Sequence, residues 1–178
     1  MGGDFKAIEE GSRIVAGMRR QASQAERAEL TPADLIVCAE CGGSDATSGL
    51  TANPAVGVAA DMLIAAGGTF IIEEVSELLG CEDVLAQRAV SESVAQDIRE
   101  VIHQAQDWSH QRGHFSIGRG NIEGGLTTIE EKSAGALAKA GSSPLEGVLD
   151  YYQCPEKKGL YIMTPPRDSD TGGGDPQG

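Results

Sequence analysis

The chain has 178 residues, of which 40% are apolar and 4% aromatic, so its core must consist largely of small aliphatic side chains. This length suits a single domain with tails, and the net charge of −13 argues against nucleic acid or an anionic membrane as the main partner. Four cysteines are too few for a disulfide scaffold, and neither a signal peptide nor a membrane-spanning run is apparent, so we expect a cytoplasmic protein.

The first predicted elements are a helix and a strand. Asp4 caps a helix that we expect to continue to about Ala28, with Phe5, Ile8, Val15 and Met18 along one side. A turn at Thr31 and Pro32 leads into residues 35–39 (LIVCA), an apolar β-branched run that predicts a buried strand.

A polar, glycine-containing loop follows this strand and ends at a second predicted helix. Asn53 is the expected N-cap and Pro54 the first helical residue, and the apolar spacing carries the helix over residues 54–66. The loop holds Cys41, Ser44 and Asp45 among glycines. Glycines let backbone amides approach an anion, and a thiolate with carboxylates suits a divalent metal. The alternative is a polar loop with an incidental cysteine.

Cys38 and Cys41 form a C-x-x-C pair, which is compatible with a redox pair or with half of a zinc site. The chain contains no second C-x-x-C to complete such a zinc site. We therefore expect Cys38 to be a core residue.

The centre of the chain predicts a second strand and a long helix. Residues 69–75 (TFIIEEV) read as a buried strand, and Glu73, Glu74 and Glu77 would lie at the same sheet edge as the first loop. Strands that alternate with helices predict a parallel α/β sheet. Residues 91–111 predict a helix with Ser91 as its N-cap. The helix carries His103 and His110, expected in solvent, and His114 lies just beyond it.

A second glycine-rich element covers residues 118–141 and opens a helix at Thr127 or Thr128. Thr127 with Glu130, or Thr128 with Glu131, would form a capping box. A flexible loop before a helix N-terminus suits an anion, because the exposed amides and the helix dipole favour negative charge. The alternative is a well-capped helix after a mobile loop.

Two short strands and a tail complete the prediction. Residues 147–152 and 160–163 read as strands, the second a candidate partner of the first, and the composition from residue 165 onward predicts a disordered tail. We expect residues 1–164 to form one α/β domain, a Rossmann-like three-layer fold with a mainly parallel sheet and flanking helices.

Four segments give the sequence a family resemblance, and they occur in the order found in that family. They are ECGGSDATSGLTANPAVG (40–57), AAGGTFIIEEVSE (65–77), GNIEGGLTTIEEK (120–132) and GLYIMTP (159–165). These segments resemble the altronate and galactarate dehydratase family, which also includes the large subunit of sulfolactate sulfo-lyase.

The resemblance implies a lyase that removes the proton α to a carboxylate and expels a β-substituent through an enolate-like intermediate. It implies Fe²⁺ as the cofactor, with Mn²⁺ or another divalent metal as alternatives. The implied metal ligands are Cys41, Asp45 and Glu130, and the implied catalytic residues are Glu130, Lys132 and Asp45. The residues expected to bind the substrate carboxylate are Ser44, Asn121, Gly124, Gly125 and Thr127.

The chain also departs from the family. Its members are far longer and include a small substrate-closing domain or subunit, so the resemblance implies a central-domain fragment that needs further family domains or a partner subunit. Residues 116–119 (SIGR) stand where the family usually has a proline-containing turn. The expected function is dehydration of a sugar acid. The alternatives are release of sulfite from sulfolactate and an inactive assembly module. The candidate partners also include a second copy of the chain, in a homo-oligomer.

Overall fold

The computed structural model describes residues 3–73, 75–112, 117–151 and 153–164. Contacts divide the chain into two units, Met1–Leu30 and Thr31–Gly178. His114, Glu74 and the predicted tail from residue 165 lie outside the described residues. No helix in the described part of the chain is long and apolar enough to cross a bilayer.

The first unit contains helix α1, Gly3–Ala22, which ends earlier than the predicted Ala28. Asp4 lies in its first turn and Arg19 and Arg20 in its last, so the charges at both ends complement the helix dipole. None of its residues is buried.

The second unit alternates strands with helices. Three short 3₁₀ turns, Pro32–Asp34, Val75–Leu78 and Ala138–Ala140, join them. The strands and helices in chain order are β1 Ile36–Ala39, α2 Ala52–Ala65, β2 Thr69–Ile72, α3 Glu82–Ala86, α4 Glu92–Arg112, α5 Arg119–Glu123, α6 Ile129–Leu137, β3 Leu145–Leu149 and β4 Gly159–Met163.

The four strands form one sheet in the order β1-β2-β4-β3, and every pair is parallel. This sheet with its flanking helices confirms the predicted α/β class. The register places Phe70 beside Leu160 and Val148 beside Ile162. The last two predicted strands are indeed neighbours, and they run parallel.

The core lies on both faces of the sheet because side chains alternate along each strand. Helices α2 and α4 contact the sheet at β2, β4 and β3, and the larger cluster includes Phe70, Ile72, Leu160 and Ile162. A smaller cluster on the other face contains Ile71, Leu149, Tyr161 and Met163. Because the strands are parallel, their carboxyl ends lie at the same end of the sheet, where the loops after β1 and β2 begin.

Polar bonds connect α2 to the segment before β3. The Asp61 carboxylate accepts hydrogen bonds from the backbone N–H groups of Ser142 and Ser143, at 2.8 and 2.9 Å, and from both hydroxyls. Arg88 donates to the carbonyl oxygens of Ala140 and Ser143 at 2.7 Å. Although partial burial of Asp61 would raise its pKa, these serine hydrogen bonds hold the pKa of Asp61 below its ordinary value.

The predictions for Cys38 and Asn53 were also wrong. Cys38 is exposed rather than in the core, because β1 is one of the two edge strands and, among the described elements, makes its main contacts with β2 and not with a helix. Burial, followed by the neighbouring Glu73 carboxylate, raises the pKa of the Cys38 thiol. Asn53 is not an N-cap: α2 already begins at Ala52, and Asn53 is a buried residue of its first turn.

Candidate functional site

The loop after β1 is held together by its own side chains. The Cys41 sulfur is buried and lies 2.8 Å from the Ser44 hydroxyl. Asp45 Oδ1 accepts hydrogen bonds from the N–H groups of Thr47 and Ser48, at 2.7 and 2.8 Å, and from both of their hydroxyls. These bonds, led by the Thr47 hydroxyl, hold the pKa of Asp45 below its ordinary value. Asp45 is therefore an ionised anchor of the turn that follows it.

The second glycine-rich element packs directly against this loop. The Asn121 side-chain amide donates to the Ser44 carbonyl at 3.0 Å, across 77 residues of sequence. The Ala46 N–H donates to the Gly124 carbonyl at 2.9 Å. A Cβ at Gly124 would lie 2.8 Å from the Asp45 Cβ, so only glycine fits here without displacing the loop. Part of the element that was predicted to be a flexible loop is helix α5.

A further contact joins the start of α2 to α6. The buried Asn53 amide donates to the Gly135 carbonyl at 3.0 Å. A Cβ added at Gly49 would lie 3.0 Å from the Gly135 Cα, and one at Gly135 would lie 3.2 Å from the Gly49 Cα. The loop and α6 therefore meet backbone to backbone.

Two threonines form hydrogen bonds with Glu131 at the N-terminus of α6. The Thr128 hydroxyl accepts from the Glu131 N–H at 3.3 Å, which identifies Thr128 as the N-cap between the two alternatives. The Glu131 carboxylate accepts from the N–H and hydroxyl of Thr127 at 2.7 and 2.8 Å, and these bonds lower the pKa of Glu131. Hydrogen bonds from its own N–H and from Thr128 lower the pKa of Glu130, which is exposed.

A buried ion pair lies beside α6. The Lys132 ammonium is 3.5 Å from the Glu77 carboxylate, and the two side chains are only 2% and 3% exposed. The Ser76 hydroxyl donates to the other Glu77 oxygen at 2.7 Å. The 3₁₀ turn after β2 presents Glu77, so the pair joins the edge of the sheet to α6. The sequence placed Glu77 at this edge but gave it no role.

These contacts border an open-sided cavity of about 420 Å³. Four residues that the sequence assigned to the site line it: Ser44, Asp45, Gly125 and Lys132. Two lining residues that the sequence did not assign are Asn53 and Glu131. The other predicted site residues lie outside the lining, namely Cys41, Asn121, Gly124, Thr127 and Glu130. Asn121 and Gly124 instead support the wall of the cavity through their contacts with the loop after β1.

The predicted metal ligands are not brought together. Among residues 3–73, 75–112, 117–151 and 153–164, no three His, Cys, Asp or Glu side chains form a group that could hold a metal ion. Cys41 is hydrogen-bonded to Ser44, and Asp45 Oδ1 accepts the four bonds of its own turn. Within the described residues, Cys41, Asp45 and Glu130 therefore do not fit a metal ion by themselves.

Comparisons with known proteins identify relatives of the chain. It is 36% identical to altronate dehydratase of Bacillus subtilis (strain 168) over 162 residues, which are 89% of this chain and 33% of that protein. It is 38% identical to galactarate dehydratase (L-threo-forming) of Escherichia coli (strain K12), over 82% of this chain and 29% of that protein.

A third relative is the (2R)-sulfolactate sulfo-lyase subunit beta of Chromohalobacter salexigens, which is 38% identical over 90% of this chain and 43% of that subunit. The chain thus spans less than half the length of each of these curated relatives. The family model described as "D-galactarate/Altronate dehydratase, C-terminal" matches residues 32–172. The chain therefore belongs to the galactarate/altronate dehydratase C-terminal family.

Proposed function

We propose that the chain is the substrate-binding part of a lyase that dehydrates a sugar acid such as altronate or galactarate. The observation that carries this proposal is the cavity between the two glycine-rich elements, which is lined by Lys132 and the first turn of α6 in a member of a dehydratase family. A helix N-terminus and a buried cation attract a carboxylate, the group that every sugar acid carries.

The reaction is a β-elimination. A base takes the proton from the carbon next to the carboxylate, and its electron pair forms a double bond to the β-carbon. The bond to the β-hydroxyl breaks, and the hydroxyl leaves with a proton as water. Negative charge builds up on the substrate carboxylate during the first step, so a fixed ammonium beside it stabilises the enolate-like intermediate more than the substrate. We assign this role to Lys132, which Glu77 holds in place.

Asp45 and Glu130 have a different role in this proposal. Hydrogen bonds lower the pKa of both carboxyl groups, and a carboxylate with a lowered pKa is a weak base. We assign Asp45 to holding the loop and Glu130 to the dipole of α6. The base would then come from a part of the enzyme or a partner subunit outside this chain.

The metal site, like the base, would need residues from outside this chain. When bound, a divalent iron would act as a Lewis acid on the hydroxy acid. Since the described residues do not form a ligand group, we propose that the metal site, whether filled by Fe²⁺ or by Mn²⁺, takes most of its ligands from outside this chain.

A second candidate reaction is the release of sulfite from sulfolactate. The observation that favours it is the similarity to the sulfo-lyase subunit, which at 38% identity over 90% of this chain is as high as the similarity to the two dehydratases. Elimination of sulfite uses the same proton abstraction next to a carboxylate, so the cavity serves both reactions with a different leaving group.

Titration calorimetry of the full chain with galactarate, altronate and sulfolactate tests the proposal. We expect one of them to bind, and we expect the Glu77→Gln/Lys132→Met variant to bind it at least tenfold more weakly. Lys157→Met is the matched control, because Lys157 is an exposed lysine outside the cavity lining. If none of the three acids binds, the chain is an assembly module rather than the substrate-binding part.

A further inference from the structure

Helix α1 carries an exposed apolar stripe. Phe5, Ile8, Val15 and Met18 are between 62% and 90% exposed, and no residue of α1 is buried. At 100° per residue, Ile8, Val15 and Met18 lie on one side of the helix, with Gly11 between them. An isolated helix of 20 residues is marginal in water, and two glycines weaken this one further. The stripe therefore calls for a packing partner.

The charges of α1 are divided between its two halves. Residues 3–12 contain three acidic side chains and one lysine, whereas residues 13–22 contain three arginines and no acidic side chain. Two copies of α1 that lie antiparallel would place the acidic half of each against the basic half of the other. A parallel pair would place like charges side by side, which is unfavourable. The charges of two α1 helices are thus complementary when the helices lie antiparallel.

The apolar stripe fits the same antiparallel arrangement. When Ile8 lies opposite Val15 of a second copy, Phe5 lies opposite Met18, and Asp4 lies opposite Arg19. The twofold axis then passes beside Gly11, where a Cβ would meet nothing within 4 Å and the two backbones can approach closely. One register therefore pairs apolar with apolar and acid with base.

The net charge of the chain also favours contact through this helix. Residues 1–30 contain five basic and five acidic side chains, so the whole excess of −13 belongs to residues 31–178. Two copies repel each other through residues 31–178 but not through α1. We propose that α1 is a self-association helix, and that two copies of this chain pair through antiparallel α1 helices along Phe5, Ile8, Val15 and Met18.

Sedimentation equilibrium of the full chain over a range of concentrations tests this proposal. We expect a reversible rise from 18.5 kDa to twice that mass, and a monomer for the Val15→Asp variant. Val90→Asp is the matched control, since Val90 is an exposed valine outside α1 and should leave association unchanged. A wild-type chain that stays monomeric, or a Val15→Asp chain that still dimerises, overturns the proposal.

A charge exchange tests the orientation without relying on a variant that fails to fold. Asp4→Arg and Arg19→Glu should each weaken the homodimer, because like charges then meet at both ends. An equimolar mixture of the two variants should recover the dimer. Positions 4 and 19 are both arginine in the Asp4→Arg chain and both acidic in the Arg19→Glu chain, so opposite charges meet at both ends of the mixed pair. If each variant alone associates as tightly as the wild type, the antiparallel register is wrong.

Discussion

The Lys132 ammonium and the Glu77 carboxylate lie 3.5 Å apart with almost no exposure to solvent, and this pair ties α6 to the end of β2. Each charge is tolerated in the interior only because the other is present, so the pair acts as a unit. The lysine lines the cavity while the glutamate does not. In the function proposed above, Lys132 would therefore meet the substrate and Glu77 would support it.

Removing one member of this pair should cost more stability than removing both. Lys132→Met leaves Glu77 as a buried charge without this cation, and we expect a loss of about 3–5 kcal/mol in the free energy of unfolding. The double variant Glu77→Gln/Lys132→Met buries neutral groups of similar size and should lose clearly less. Urea denaturation of both variants measures the difference. Equal losses would mean that the two charges are not coupled.

Glycine at position 124 should be required for the contact between the two loops. Gly124→Ala places a Cβ 2.8 Å from the Asp45 Cβ, and we expect a loss of about 1–3 kcal/mol in unfolding free energy, with weaker ligand binding. Gly42→Ala is the matched control, because a Cβ at Gly42 meets nothing within 4 Å. Thermal unfolding and calorimetry give both quantities. A wild-type-like Gly124→Ala chain would refute the close packing of the loops.

Asp61 should give the fold a measurable acid sensitivity. Its pKa in the folded state lies below the ordinary value of 3.8, so its stabilisation is complete above that pH and is lost as the pH falls through the folded pKa. We expect Asp61→Asn to lose about 1–2 kcal/mol at neutral pH, since solvent reaches part of the carboxylate. The gap between variant and wild type should shrink below pH 3.8.

The control for this experiment is Asp97→Asn, an exposed aspartate of α4. This variant should follow the wild-type curve of unfolding free energy against pH. A gap between Asp61→Asn and the wild type that is constant at every pH would contradict the assignment to an ionised carboxylate.

Iron should not bind stoichiometrically to this chain alone. Because the metal site proposed above takes most of its ligands from outside this chain, anaerobic reconstitution followed by metal analysis should give far less than one iron per chain. Cys41→Ser should leave that small amount unchanged. Stoichiometric iron that disappears in Cys41→Ser would instead place the metal site on the loop after β1.

Local spacing was sufficient to predict the elements whose causes are local. The alternation of apolar runs with helical patterns predicted the parallel sheet, and the Ser91 hydroxyl accepts from the Val94 N–H at 3.3 Å, as an N-cap does. The Thr128 and Glu131 pairing at the start of α6 was also one of the two predicted boxes. Each of these caps depends on residues within one turn of each other.

The contacts that shape the cavity could not be predicted in this way. Asn53 precedes a proline and reads as an N-cap, but its amide bonds to Gly135, 82 residues away. Glu77 pairs with a lysine on α6, and Cys38 is exposed because β1 lies at an edge of the sheet with its main contacts to β2 alone. No local pattern records which distant segments meet. The family resemblance, which rests on whole segments, was confirmed by comparison.

The contact between Gly49 and Gly135 fixes how far apart two walls of the cavity stand. Main-chain atoms touch there with no side chain between them, so the gap is set by atomic radii and not by the rotamers of a longer residue. Side-chain repacking can neither shorten nor lengthen the distance between the two backbones at this contact. The shape of the cavity can therefore change only through the groups that line it, such as those at positions 44 and 131, while the spacing at this contact stays the same.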